Sequence, residues 1–116
     1  MEEIEFMHDG PDEKDWKAFR KLAPILRERY LRGRIEELAT ILADGERSPA
    51  ERFWDLEEQV GEIAKALRAC LDGHSRSRMR QFIIQMLAVG MMTREDLDAF
   101  SEELRERMIE WTKPEP

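Results

Sequence analysis

The chain has 116 residues, of which 41% are apolar and 39% charged, with six glycines and five prolines. That length suits a single domain with a modest core, and that composition excludes a disordered chain. A net charge of −7 argues against a protein built around phosphate backbones, and the longest apolar run, Phe82 to Met92, is too short and interrupted by Gln85 and Gly90 for a membrane span.

Residues 1–11 read as an acidic N-terminal arm punctuated by Gly10-Pro11. They lack the basic segment that opens a secretory signal. With a lone cysteine, Cys70, no internal disulfide is possible, so a reducing, cytoplasmic setting is expected. Charge is unevenly laid out. Residues 1–15 hold seven acids against one base, 16–34 seven bases against one acid, 35–64 nine acids against two bases, 65–80 five bases against one acid, and 81–116 eight acids against four bases. Two basic islands, 16–34 and 65–80, therefore sit in an acidic chain. Their simplest use is to pair with acids across a helical bundle; the sharper alternative is that one faces an anionic partner.

The first helical stretch runs from about Asp12 to Asp44, with Asp12 or Asp15 as the expected cap. Its apolar residues form two seams. Trp16, Phe19, Ala23, Leu26 and Tyr30 make one, and Leu31, Ile35, Leu38 and Leu42 the other. At 100° per residue their mean directions differ by about 110°. Pro24 lacks an N–H and Gly33 is a weak helix former, so a kink or break is expected near 22–24 or 33.

Ser48-Pro49-Ala50-Glu51 is a capping box with proline at the first helical position. It opens a helix over about 49–71 whose stripe, Phe53, Leu56, Val60, Ile63, Leu67 and Cys70, keeps the 3, 4 spacing of a helix packed on helices. Val60, Ile63 and Leu67 are expected to be nearly fully buried. Gly73 suits a left-handed cap.

Ser75 or Ser77 then caps a helix over about 76–89, where Phe82, Ile83 and Met86 are expected in the core and apolar groups wrap most of the surface. Gly90 ends it. Thr93 caps a final helix with Glu95 and Asp96 in its first turn and Leu97, Phe100, Leu104, Met108 and Trp111 on its apolar side. Residues 113–116 form a C-terminal tail. The fold class is thus all-α: a bundle of four to five helices with short loops over 12–112.

Chemistry is sparse. Cys70 and His74 share a helical spacing, but Gly73 separates them and a metal site needs three or four ligands, so no metal and no cofactor is expected. Cys70 falls on the apolar seam, where burial suppresses thiol reactivity, and His74 reads as a solvated loop residue. The carboxylates Asp55, Glu57, Glu58 and Glu62 read as a solvated side with no matched acid and base. No catalytic residues are assigned and an enzyme is not expected.

The best local site is an anion-binding candidate at the helix start, made of His74, Ser75, Arg76, Ser77, Arg78 and Arg80. A helix N-terminus, two hydroxyls and several guanidinium groups are suited to phosphate or carboxylate. The competing use of these arginines is internal pairing, for instance with Glu57, Glu58 or Glu62. The turn at Val89–Thr93 invites a helix-turn-helix reading, but an acidic following helix would repel DNA, so nucleic acid is a poor partner.

Trp54 lies beside the Phe53 stripe and, with Trp111, Met91 and Met92, is an interaction candidate. Other methionines are expected to fill the core. The leading expectation is a protein–protein interaction or regulatory module acting through helix faces, with another protein or a second copy as partner and no membrane contact. The alternative is a binder of a phosphorylated ligand or nucleic-acid backbone through residues 74–80.

Overall fold

A computed structural model describes residues 13–112; the expected arm at 1–11, the capping role of Asp12 and the tail at 113–116 lie outside the described residues. Among the described residues the fold is all-α, with four helices joined by short loops: α1 (Glu13–Ala43), α2 (Pro49–Leu71), α3 (Met79–Val89) and α4 (Glu102–Trp111). Two 3-10 turns, Arg76–Arg78 and Glu95–Ala99, precede α3 and α4. None of these helices is long and apolar enough to cross a membrane.

α1 is one uninterrupted helix of 31 residues with Pro24 inside it, so the expected break does not occur. A helix of that length is about 46 Å long, enough to meet different neighbours at different heights. Phe19, Ala23 and Leu26 of the first seam enter the core. The second seam is further along and divides: Leu31 and Leu38 are half-buried, whereas Ile35 and Leu42 are exposed. Two seams therefore require two neighbours, not two helices. Pro24 itself is exposed, and so is Arg20, whose carbonyl loses its usual N–H partner.

The α1–α2 connection is local chemistry. Asp44 Oδ1 accepts from the Glu46 N–H at 3.0 Å, and Arg52 Nη1 donates to the otherwise open Leu42 carbonyl at 2.8 Å. Arg47 pairs with Asp55 at 2.6 Å. The capping box closes as its residues predict: the Glu51 N–H donates to Ser48 Oγ at 3.1 Å, and the Ser48 N–H to Glu51 Oε1 at 2.9 Å. The two helices run antiparallel as a hairpin.

The core lies at one end of that hairpin. Phe19 and Leu26 of α1 and Cys70 of α2 pack against Met79, Phe82, Ile83 and Met86 of α3, then Met91, Met92, Leu97, Phe100, Leu104 and Met108. Phe82, Ile83 and Met86 are buried as expected. The expectation for α2 needs correction: Ile63 and Leu67 are only half-buried, and Val60 is exposed. Heptad spacing identifies residues on one side of a helix; Leu67 packs against the core, whereas Phe53 and Val60 further out are left uncovered.

Gly90 ends α3 in the left-handed conformation, at φ 81°. The chain then folds back, with the Met91 and Met92 N–H groups donating to the Met86 carbonyl at 2.9 and 3.1 Å. Thr93 caps the 3-10 turn by a reciprocal pair with Asp96: the Thr93 N–H donates to Asp96 Oδ2 at 2.7 Å, and the Asp96 N–H to Thr93 Oγ1 at 3.3 Å. The expected single helix from Thr93 onward is instead interrupted at Phe100, and Ser101 caps α4 through the Leu104 N–H. The reason is tertiary. Asp15, buried at the start of α1, accepts from both the N–H and the hydroxyl of Ser101, each at 2.7 Å. Asp15 therefore holds the start of α4 across the fold.

Candidate interaction face

From Arg27 to Ala69, none of the described residues is buried. The outer part of the hairpin is thus two helices covering only each other. Ile35, Leu42, Phe53, Trp54 and Val60 leave 46–63% of their surfaces exposed. These are large apolar groups, and they are concentrated in one arm of a small protein.

Helical geometry says where they point. Ile35 and Leu42 are seven residues apart on α1, hence about 20° apart in direction, and the same holds for Phe53 and Val60 on α2. On each helix this pair is turned about 75–80° from the mean direction of the half-buried residues. In an antiparallel pair, an equal turn of the same sense brings both stripes to the same broad side of the hairpin. Ile35, Leu42, Phe53 and Val60 therefore form one apolar patch. On α1 this patch points about 150° away from Phe19, Ala23 and Leu26, so it lies on the side opposite the core.

Trp54 projects from the outer edge of α2, its ring meeting Phe53 edge-on with centroids 4.9 Å apart. Trp111 is also exposed, but on α4, away from the hairpin arm. The other two interaction candidates are corrected: Met91 and Met92 are buried, because the fold-back after Gly90 turns both inward. Sequence reasoning singled out Trp54 but missed Ile35, Leu42, Phe53 and Val60, which periodicity had assigned to seams. The signal available was the second seam of α1, which points away from the first.

The anion-binding candidates are largely engaged within the protein. Arg76 pairs with Glu13 of α1, not with the acids of α2. Arg78 lies over the Phe82 ring at 5.2 Å and donates to Gln81 at 3.4 Å. His74 is not a solvated loop residue. Its Nε2 donates to the Cys70 carbonyl at 2.7 Å, and its ring meets Phe19 and Phe82 edge-on at 4.8 and 4.6 Å. Ser75 stands at the cap position of the 3-10 turn without a side-chain hydrogen bond, and Ser77 lies within the turn. Arg80 is half-buried. Burial pushes the Cys70 thiol above its ordinary range. No group of three or more His, Cys, Asp or Glu among the described residues could hold a metal ion.

The basic island on α1 divides. Arg29 reaches across the fold to Asp96, at 3.1 and 2.5 Å, while Arg27 and Arg34 pair with Glu28 and Glu37 on their own helix. Lys14, Lys17, Arg20 and Lys21 form no ion pair among the described residues and, with Ala18 and Ala99, line a shallow basic groove. Compared with protein-family models, curated proteins and solved structures, the chain matches none.

Proposed function

We propose that this chain is a protein-interaction module whose contact surface is the broad side of the α1–α2 hairpin. The observation that carries this reading is the patch of Ile35, Leu42, Phe53 and Val60, exposed together on an arm outside the core. A monomer gains nothing from a contiguous apolar patch in water, whereas a partner surface that covers it gains the full burial of those groups. Trp54 at the patch's edge supplies the side-chain type most often found to anchor contacts. The patch stands on two helices already formed, so presenting it needs no folding of the contact segment.

The anion-binding alternative at 74–80 is the weaker reading, because Arg76, Arg78 and His74 already have internal partners. The test is retrieval of partners from the native cell with the wild-type chain and with Ile35→Lys/Val60→Lys as baits. Both positions are exposed, so the variant should melt within about 1 kcal/mol of wild type. Partners held by wild type and lost by the variant support the reading. Identical partner sets from both baits overturn it.

A further inference from the structure

We infer that the outer edge of α2 around Trp54 receives a cationic side chain, arginine or lysine, from a basic segment of a partner protein. This edge is separate from the broad-side patch, for Trp54 points about 100° around α2 from Phe53 and about 120° from Val60. The occupant follows from the ring, its rim and the charge of the arm.

Trp54 leaves 63% of its surface exposed, and Phe53 meets it at 4.9 Å. Three other aromatic rings each have a nearby arginine over them: Arg20 lies 5.9 Å from the Trp16 ring, Arg34 5.4 Å from Tyr30 and Arg78 5.2 Å from Phe82. Among the described residues no cation lies over Trp54. An indole attracts a cation to its face more strongly than the smaller aromatic rings do. Ala50 and Gly61 point within about 40° of Trp54 along α2, and neither carries a side chain long enough to cover it.

The rim is acidic. Trp54 lines a shallow groove with Arg47, Ala50, Glu51, Asp55 and Glu58, so three carboxylates stand there against one guanidinium. That guanidinium is already held by Asp55 at 2.6 Å. Glu51 and Glu58, three positions before Trp54 and four after it, point within about 60° of the ring. Glu51 accepts the Ser48 N–H through Oε1, and Glu58 has no ion pair among the described residues. A guanidinium or ammonium group stacked on the indole therefore finds a carboxylate on either side along the helix, and the two attractions act together.

The arm as a whole has the same sign. Residues 44–62 carry seven acids against Arg47 and Arg52, and both arginines are engaged, with Asp55 and with the Leu42 carbonyl. Glu51, Asp55, Glu58 and Glu62 succeed one another at spacings of four, three and four, so like charges are neighbours along α2. Such a repeat weakens a helix on its own, and a cationic partner relieves it. The field of the arm draws basic partners and repels acidic ones. A second copy of this chain brings no comparable block of bases, since its residues 1–21 carry seven acids against four bases. The partner is therefore a different, basic protein segment.

The experiment titrates the full chain with a synthetic helical peptide of about 16 residues made only of arginine, leucine and alanine, read by calorimetry and by the Trp54 indole N–H signal in NMR. Expected is a shift of that signal, with an affinity in the micromolar range at about 0.1 M salt that falls several-fold at about 0.5 M. Trp54→Ala should weaken binding at least about fivefold, and so should Glu51→Gln/Glu58→Gln, in which glutamine preserves the capping box. Glu58→Lys serves as a further variant should either of these fail to fold. Glu102→Gln/Glu106→Gln, the same charge change on α4, should alter binding less than about twofold, as should Ile35→Gln/Val60→Gln on the broad side. An unmoved Trp54 signal overturns the inference. Equal losses from the two glutamate pairs overturn it as well, for the attraction would then be diffuse. A Trp54 signal that moves with protein concentration in the absence of peptide makes a second copy the occupant and overturns the basic partner. Loss of binding in Ile35→Gln/Val60→Gln but not in Trp54→Ala overturns this site while leaving the broad-side contact in place.

Discussion

Asp15 is the residue on which the connection between the two ends of the chain depends. It is buried, and its carboxylate accepts two 2.7 Å hydrogen bonds from Ser101. Hydrogen bonds to a charged acceptor are stronger than neutral ones, and removing the acceptor leaves the Ser101 N–H without its partner. Asp15→Ala should therefore lower stability by about 2–3 kcal/mol in urea melts. Ser101→Ala, which also removes the cap of α4, should fall in the same range, with the double variant losing less than the sum. Simple additivity would mean the pair is incidental. Asp96 offers a second residue-level test, in its pH dependence. Burial pushes its carboxyl up, but hydrogen bonds from Arg29 and from the Thr93 N–H and hydroxyl, with the Arg29 charge, outweigh burial and hold it below the ordinary carboxylate value. A carboxyl held low in the folded state binds its proton more readily when unfolded. Its contribution is present above the unfolded value of about 4 and is lost as pH falls through the lower folded value. Wild type should exceed Asp96→Asn in stability at neutral pH by about 1–2 kcal/mol, and the gap should narrow as pH falls below the unfolded value of about 4. A gap that widens on acidification would refute the assignment.

At the scale of elements, the boundaries legible in the sequence are those set by neighbouring residues. Ser48 and Glu51 cap each other three positions apart, and Gly90 takes a backbone conformation that few other residues tolerate. What could not be read is what depends on distant chain. The break at Phe100–Ser101 is fixed by Asp15, 86 positions away, and no local pattern announces it. The apolar stripe of α2 was legible as a stripe, but spacing does not count neighbours, so Val60 looked like core and is exposed. The same limit affected the candidate site: Trp54 was picked out by its place beside the heptad stripe, whereas the patch of Ile35, Leu42, Phe53 and Val60 exists only once two helices are set antiparallel. Pro24 taught the converse, since a strong local breaker was overruled by packing on both sides of it. That conflict has a measurable consequence. Because Pro24 is exposed and deletes a bond to the Arg20 carbonyl, Pro24→Ala should stabilise the fold by about 1–2 kcal/mol, the helix gain less the unfolded-chain entropy that proline removes. A destabilised Pro24→Ala would show instead that α1 needs the bend proline imposes.

At the scale of the whole molecule, every buried group among the described residues lies at one end, and the hairpin arm from Arg27 to Ala69 contributes none. Stability should be distributed accordingly. Amides at the centre of α3, around Ile83 and Met86, are shielded by side chains packed on several sides, so they should exchange only through global unfolding. Amides of the arm, such as Leu38 to Leu42 and Phe53 to Val60, are sheltered by a single partner helix and should open locally. In dilute solution the arm should exchange at least about tenfold faster than α3. Concentration then separates a bare arm from a covered one. If a second copy seats on the patch, raising the protein concentration should slow exchange across the arm, because association stabilises whatever it binds by mass action. The effect should follow the patch residues and vanish in Val60→Lys. Uniform protection along α1 and α2, independent of concentration, would mean that the arm unfolds as one unit with the core and that its apolar side is not a contact surface for this chain.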